Sequence, residues 1–223
     1  MYPVLLDIAD KLCVVIGGGH VAERKVKGLL KDGAYVRVIS PELTDGLTTL
    51  AREGKIDWRN KPFTYEDLDK AFLVFAATDN REIQDMIHRQ ARVNNQLVNV
   101  ADDPESCDFH VPAAVRRGEL VLTISTSGKS PAVAALIKQQ LERDFGPEYG
   151  KLLELMSMVR QEISAGSDVL SQPERKKIYK KVLHKDIIEW IRVGRIELLR
   201  KHLRDILGSE TNLDLTLLQL DRS

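Results

Sequence analysis

Apolar residues fall in short runs through the first half of the chain, at 12–16, 35–39, 72–76, 97–100 and 120–124, with longer stretches of mixed polarity between them. Brief apolar runs bounded by turns suit strands covered on both faces. The stretches between carry helical spacing: in 81–94, Ile83, Ile87 and Ala91 share one stripe. Strands alternating with helices predict a parallel sheet with helices on its faces. Gly33, after Lys31 and Asp32, suits a helix C-cap, and Pro41 closes the second strand, so 12–39 reads as a β-α-β unit. Thr78, Asp79 and Asn80 are each able to cap the helix that follows them.

The pattern changes after about Pro112. The run at 120–124 passes into a hydroxyl-rich turn, Ser125-Thr126-Ser127-Gly128-Lys129-Ser130-Pro131, and then into a predicted helix over 132–141 with the proline near its start. Beyond Phe145 strand patterns disappear. Segments 149–163, 174–185 and 186–207 read as charged amphipathic helices, punctuated at 164–167 and 171–173. The alternating leucines near the end receive no role from pattern alone. The chain thus divides into 1–112, 113–145 and 146–223.

Length and charge narrow the picture. A chain of 223 residues buries a substantial core, and 33 basic against 33 acidic residues give no global case for a nucleic-acid or membrane-surface partner. The two cysteines, Cys13 and Cys107, make neither a disulfide framework nor a metal-ligand set, and Cys13 inside an apolar run serves as a small hydrophobe. The first residues lack the basic region and long apolar core of a signal peptide, and no later run reaches membrane-spanning length. The expectation is a soluble protein of the reducing cytoplasm.

The first chemistry is at Gly17-Gly18-Gly19-His20-Val21-Ala22, a G-x-G-x-x-A pattern between a strand and a helix. Gly17 permits the tight turn, Gly19 has no Cβ to block a pyrophosphate, and Ala22 lets the helix sit close to its strand. The helix N-terminus then offers unpaired N–H groups and partial positive charge to phosphates. At the end of the second strand come Pro41 and Glu42, the latter slightly beyond the usual position of the acidic side chain that holds the ribose hydroxyls; no arginine directly follows that strand, which favours NAD over NADP. Glu42 reads equally as a first-turn residue of the next helix.

Asp102, in Asn99-Val100-Ala101-Asp102-Asp103-Pro104, stands at the end of another strand, where a carboxylate in a crevice can accept or donate a proton. Turn chemistry is the competing reading, and Asp103 before Pro104 suits it better. The 125–131 loop gathers hydroxyls, a glycine, a lysine and a helix start in the manner of an anion cradle, without the first glycine of a Walker motif. Arg116 and Arg117 add positive charge nearby. No metal site is expected, since His88 and His110 lack ligand spacing; His88 reads as a surface residue, His110 as structural, and His20 as bordering the cofactor.

As an ordered set, Pro3-Val4-Leu5-Leu6-Asp7, Gly17 to Lys25, Ala76-Ala77-Thr78-Asp79, Asn99-Val100-Ala101-Asp102, Phe109-His110-Val111-Pro112-Ala113 and Ser125 to Pro131 resemble the precorrin-2 dehydrogenase and sirohydrochlorin ferrochelatase family over nearly the whole chain. The resemblance implies an α/β homodimer with an N-terminal Rossmann-type parallel sheet, a small central dimerisation region and a helical C-terminal domain. It implies NAD-dependent oxidation of precorrin-2 to sirohydrochlorin, with Asp102 as general base. Gly17, Gly19, His20 and Val21 would meet the pyrophosphate, Pro41 and Glu42 the adenosine ribose, and Thr78 and Asp79 the nicotinamide side. For the eight carboxylates of the tetrapyrrole it leaves Arg116 and Lys129 as candidates on charge, with Ser125, Ser127 and Gly128 of the hydroxyl loop.

The resemblance also implies a difference: some relatives carry a serine in that loop that is open to phosphorylation, where this chain has Thr126, so regulation there is not assumed. Others also insert ferrous iron, and the motifs do not separate them. With no counterpart of the methyltransferase half of fused synthases, precorrin-2 is expected from another protein. A non-catalytic NAD(H)-sensing module is the alternative of another class; it predicts no turnover and leaves Asp102 and the 125–131 loop without a purpose.

Overall fold

A computed structural model describes residues 1–166, 170–209, 211 and 213–218. The chain divides into two compact units, Met1–Val111 and Pro112–Ser223.

In the first unit the short apolar runs become β1 (Leu12–Ile16), β2 (Tyr35–Ile39), β4 (Leu73–Ala76) and β5 (Leu97–Val100), joined by a short edge strand, β3 (Asp57–Arg59). All five pair in parallel in the order β3-β2-β1-β4-β5. Helices α1 (His20–Lys31), α2 (Asp45–Arg52) and α3 (Arg81–Val93) connect them. The pleat of β1 explains the two-sided core. Cys13 and Val15 join Ala22, Val26 and Leu29 of α1, while Val14 and Ile16 join Ile87 and Ala91 of α3. Each fully buried aliphatic side chain here contributes about 1.5–3 kcal/mol of transfer free energy. β3 escaped the apolar pattern because Asp57 and Arg59 are polar; it is held to β2 partly by Arg37, which donates to Asp57 at 2.8 Å.

Local signals set the ends of these elements. Gly33 takes a positive φ of 77° just past α1, as the C-cap reading required. Of the three candidate caps for α3 it is Asn80 that accepts from the Ile83 amide, at 3.1 Å. Thr44 caps α2, so Glu42 lies before the helix rather than in its first turn, and the first-turn acid is Asp45.

The second unit opens with β6 (Ala113–Arg117) and β7 (Leu120–Ile124), an antiparallel hairpin turned by Gly118 at φ 56°. The run at 120–124 is therefore not a strand of the parallel sheet. A two-residue turn feeds it back onto β6, and no crossover helix precedes it. Then come α4 (Pro131–Asp144), α5 (Glu148–Gly166), α6 (Gln172–Val182), α7 (Ile187–Arg192) and α8 (Ile196–Leu207). The predicted 186–207 helix is broken at Gly194, whose φ of 71° a continuous helix does not allow.

Leu155, Val159, Ile191, Leu199 and Leu203 fill the helical core together with Leu215 and Leu218, which gives those late leucines their role. Leu220 and Ser167 lie outside the described residues. The buried Glu148 accepts from Arg192 at 2.7 Å and pins the start of α5 to α7. By contrast α4 buries no residue, and Val133 and Leu136 remain 46% and 63% exposed. Among the described residues no helix is long and apolar enough to cross a membrane.

Candidate active site

Ile16, Ile39, Ala76 and Val100 form the last aligned row across β2, β1, β4 and β5. Because all the strands run the same way, the chain leaves that row along one sheet edge, through Gly17, Ser40, Ala77 and Ala101. Every first-unit candidate for the cofactor or the base stands in one of those four loops or, for His20 and Val21, in the first turn of α1 directly after the first of them.

In the first loop the three glycines have different physical reasons. Gly17 has φ 121°, and a Cβ there would fall 2.1 Å from the Ala77 carbonyl oxygen; at Gly18 it would fall 1.8 Å from that of Glu42. Both are required by close backbone packing. The need for Gly18 was missed by the G-x-G-x-x-A reading, although the unbroken glycine triplet was its signal. A Cβ on Gly19 would meet nothing within 4 Å, so its smallness leaves open space. Gly19 is the N-cap of α1 and no side chain caps that helix, while Ala22 is fully buried against the sheet. The first turn of α1 therefore has no side-chain cap, and there is open space beside Gly19. That arrangement fits a pyrophosphate.

Around this turn His20 and Val21 are exposed, and Glu23 accepts from the Thr44 hydroxyl at 2.6 Å, tying α1 to the cap of α2. Pro41 and Glu42 are exposed directly after β2, with the Glu42 carbonyl accepting from the Ser40 hydroxyl at 2.7 Å. Thr78 and Asp79 follow β4; the Thr78 carbonyl accepts from Gln84 Nε2 at 2.6 Å, and the same nitrogen lies 3.4 Å from the Ala101 carbonyl. Gln84 thus joins the loops after β4 and β5 from α3. Pattern gave no hint of this, because a glutamine in a charged helix reads as solvated. One helical turn on, His88 is half-buried, and its buried Nε2 has no hydrogen-bond partner among the described residues, which corrects the surface reading.

Asp102 lies two residues beyond the end of β5, exposed, with a left-handed φ of 59° that an aspartate tolerates better than most residues. Its neighbour supplies the turn chemistry: hydrogen bonds from Ser106, outweighing desolvation, hold the Asp103 carboxyl below the usual range, helped by Arg81 at 3.9 Å. Cys107 is the hub of this segment. Its Sγ accepts from the Val100 amide at 3.2 Å and lies 3.3 and 3.2 Å from the Val100 and Asp103 carbonyls, and burial pushes the thiol up. Burial pushes Cys13 up to about 11, so neither thiol is a ready nucleophile at neutral pH. His110 is exposed.

The 125–131 loop of the second unit uses its hydroxyls on itself. Ser125 Oγ accepts from the Ser127 amide at 3.2 Å, Thr126 Oγ1 from that of Ser130 at 3.2 Å, and Ser130 caps α4 by accepting from Val133. Ser127 and Gly128 both take positive φ, and Lys129 is exposed. Arg116 is exposed on β6, whereas Arg117 donates to the carbonyls of Phe145 and Glu142 and secures the end of α4.

A five-stranded parallel sheet in the order 3-2-1-4-5, with a glycine turn leading into an uncapped helix at its carboxyl edge, defines a dinucleotide-binding domain of the Rossmann type. Two family models match in agreement: an NAD(P)-binding model over residues 4–113, and "Sirohaem biosynthesis protein central" over 117–144. "Siroheme synthase" of Nitrosospira multiformis is 36% identical over 214 residues, 94% of this chain and 45% of that protein. That of Methylobacillus flagellatus is 34% identical over 215 residues, 95% of this chain and 45% of its own length. A solved structure, "SirC, precorrin-2 dehydrogenase", superimposes with a TM-score of 0.74 at 25% identity, covering 92% of this chain and 98% of that one. The chain belongs to the sirohaem synthase and precorrin-2 dehydrogenase family. It spans about half the length of the curated synthases it matches.

Proposed function

We propose that this chain oxidises precorrin-2 to sirohydrochlorin, with NAD as the hydride acceptor. The observation that carries the proposal is the sharing of one sheet edge by the uncapped start of α1, with open space at Gly19, and the exposed carboxylate of Asp102. The amides at the α1 start and the smallness of Gly19 hold the pyrophosphate, with His20 and Val21 beside it. Glu42 accepts from the ribose hydroxyls next to Pro41, and Thr78 and Asp79 border the nicotinamide side. Bound NAD supplies the hydride acceptor. Asp102 takes the proton that leaves as the carbon skeleton is oxidised, so one hydride and one proton depart together. Arg116 and Lys129, with Ser125, Ser127 and Gly128, are our candidates for meeting the substrate carboxylates, of which the tetrapyrrole carries eight.

The same reading assigns 1–112 to nucleotide binding, 113–145 to dimerisation and 146–223 to a helical domain, in a cytoplasmic homodimer. The bare apolar side of α4 supports the dimer, since Val133, Leu136 and Ile137 otherwise stay in water.

Purified chain given NAD and precorrin-2 is expected to produce sirohydrochlorin and NADH in equal amounts. Asp102→Asn is expected to slow turnover by about a hundredfold or more while NADH binding holds. An inactive wild type, or an Asp102→Asn variant at full rate, would remove the function or the base respectively. Leu136→Glu is expected to shift the sedimenting species from dimer to monomer; a wild type that sediments as a monomer ends the dimer reading.

A further inference from the structure

Lys25 on α1 is in unusual company. Its ammonium donates to Asn99 Oδ1 at 2.8 Å and lies 5.1 Å from the centroid of the Phe75 ring, and among the described residues it makes no ion pair with a carboxylate. Burial lowers its pKa, as does the neighbouring Arg24, while the charges of Cys107 and Asp102 act in the opposite sense. A lysine is ordinarily solvated or paired with a carboxylate, whereas half-buried Lys25 spends its ammonium on a buried side-chain amide.

What the ammonium does is fix an amide. Asn99 is buried, and with Oδ1 committed to Lys25 its Nδ2 donates to the Phe109 carbonyl at 2.9 Å and approaches Cys107 Sγ at 3.4 Å. Cys107 in turn engages the Val100 amide and reaches the Asp103 carbonyl. Together Asn99 and Cys107 hold both ends of a segment whose apex is Asp102 in its left-handed conformation. Backbone of that kind persists only where its surroundings over-determine it. Lys25 is thus the point at which the nucleotide-binding helix grips the loop of the base.

We propose that Lys25 is a positioning residue for the dehydrogenation: through Asn99 it sets the turn that presents Asp102. This rests on Asp102 being the base.

The test compares Lys25→Met, Lys25→Arg, Asp102→Asn and the Lys25→Met/Asp102→Asn double variant in the full chain. Lys25→Met is expected to lower the melting temperature by only a few degrees, about 4 °C, to leave the NADH dissociation constant unchanged and KM for precorrin-2 within about threefold, and to lower kcat by about tenfold or more. Lys25→Arg, which keeps charge and donors, is expected to recover most of that loss. The double variant is expected to be no slower than Asp102→Asn alone, because one change acts through the other.

Amide hydrogen exchange over 100–109 gives a readout independent of turnover. It is expected to speed up in Lys25→Met and not in Lys25→Arg. Unchanged exchange, losses that multiply in the double variant, or a Lys25→Met kcat within twofold of wild type would each overturn the proposal. An inactive wild type whose exchange still responds to Lys25→Met would instead count against the dehydrogenase reading and leave the gripped turn standing.

Discussion

At the β1–α1 junction the helix begins on Gly19 without a side-chain cap, whereas at the β7–α4 junction Ser130 accepts from the first turn and Thr126 closes onto Ser130. Both are strand–loop–helix connections rich in small residues, and on sequence both read as anion cradles. The difference is in where the donors go. In the second, the loop's own hydroxyls occupy its backbone amides, so its stability is internal. In the first, glycines carry no group to fill the helix end, and the chain leaves its donors for something outside itself. A composition of small residues is therefore an ambiguous sign of phosphate binding; an uncapped helix facing open space is a sharper one.

The largest expected effect comes from Gly17→Ala. A left-handed φ costs a side chain roughly 1–2 kcal/mol, and contact with the Ala77 carbonyl adds to it, so denaturant unfolding is expected to show a loss of several kcal/mol, about 3 or more. Gly19→Glu separates binding from folding. Its side chain enters open space and places a carboxylate at the phosphate position, so NADH affinity is expected to fall about a hundredfold or more, while the melting temperature moves by only about 2 °C. Equal losses of affinity and stability would break the contrast with Gly17.

Ser130→Ala addresses the other junction. Loss of the cap is expected to cost about 1 kcal/mol of stability with no change in NADH binding, and a change in NADH affinity would mean that the two junctions are not separate in purpose. The smallest effect is electrostatic. Hydrogen bonds from Lys27 and Thr44 hold Glu23 below the ordinary carboxylate range. A carboxyl depressed in the folded state stabilises it above its unfolded value and loses that contribution as pH falls through the folded one. The melting temperature is expected to hold from neutrality to about pH 4.5 and to fall below it, with a shallower fall in Glu23→Gln; superimposable curves would detach Glu23 from the α1–α2 tie.

Much of the first unit was legible because its signals are local. The apolar runs mark strands buried on both faces, Gly33 marks a positive φ, and the glycine triplet marks the turn, each within a few residues of its cause. The second unit was less so. The 120–124 run has the same composition as a parallel strand, and only the Gly118 turn onto a less apolar partner made it a hairpin. Gly194 divided a stretch whose periodicity ran unbroken.

Sequence by itself determined the β-α alternation, the nucleotide turn and the loss of strands after Phe145, since periodicity and glycine placement encode burial and backbone angle directly. Tertiary structure alone decided that Gly18 presses on Glu42, that Gln84 joins two loops and that Lys25 reaches Asn99, 74 positions away. Those pairings depend on which strand ends arrive side by side, a consequence of sheet order and register that no window of neighbouring residues contains.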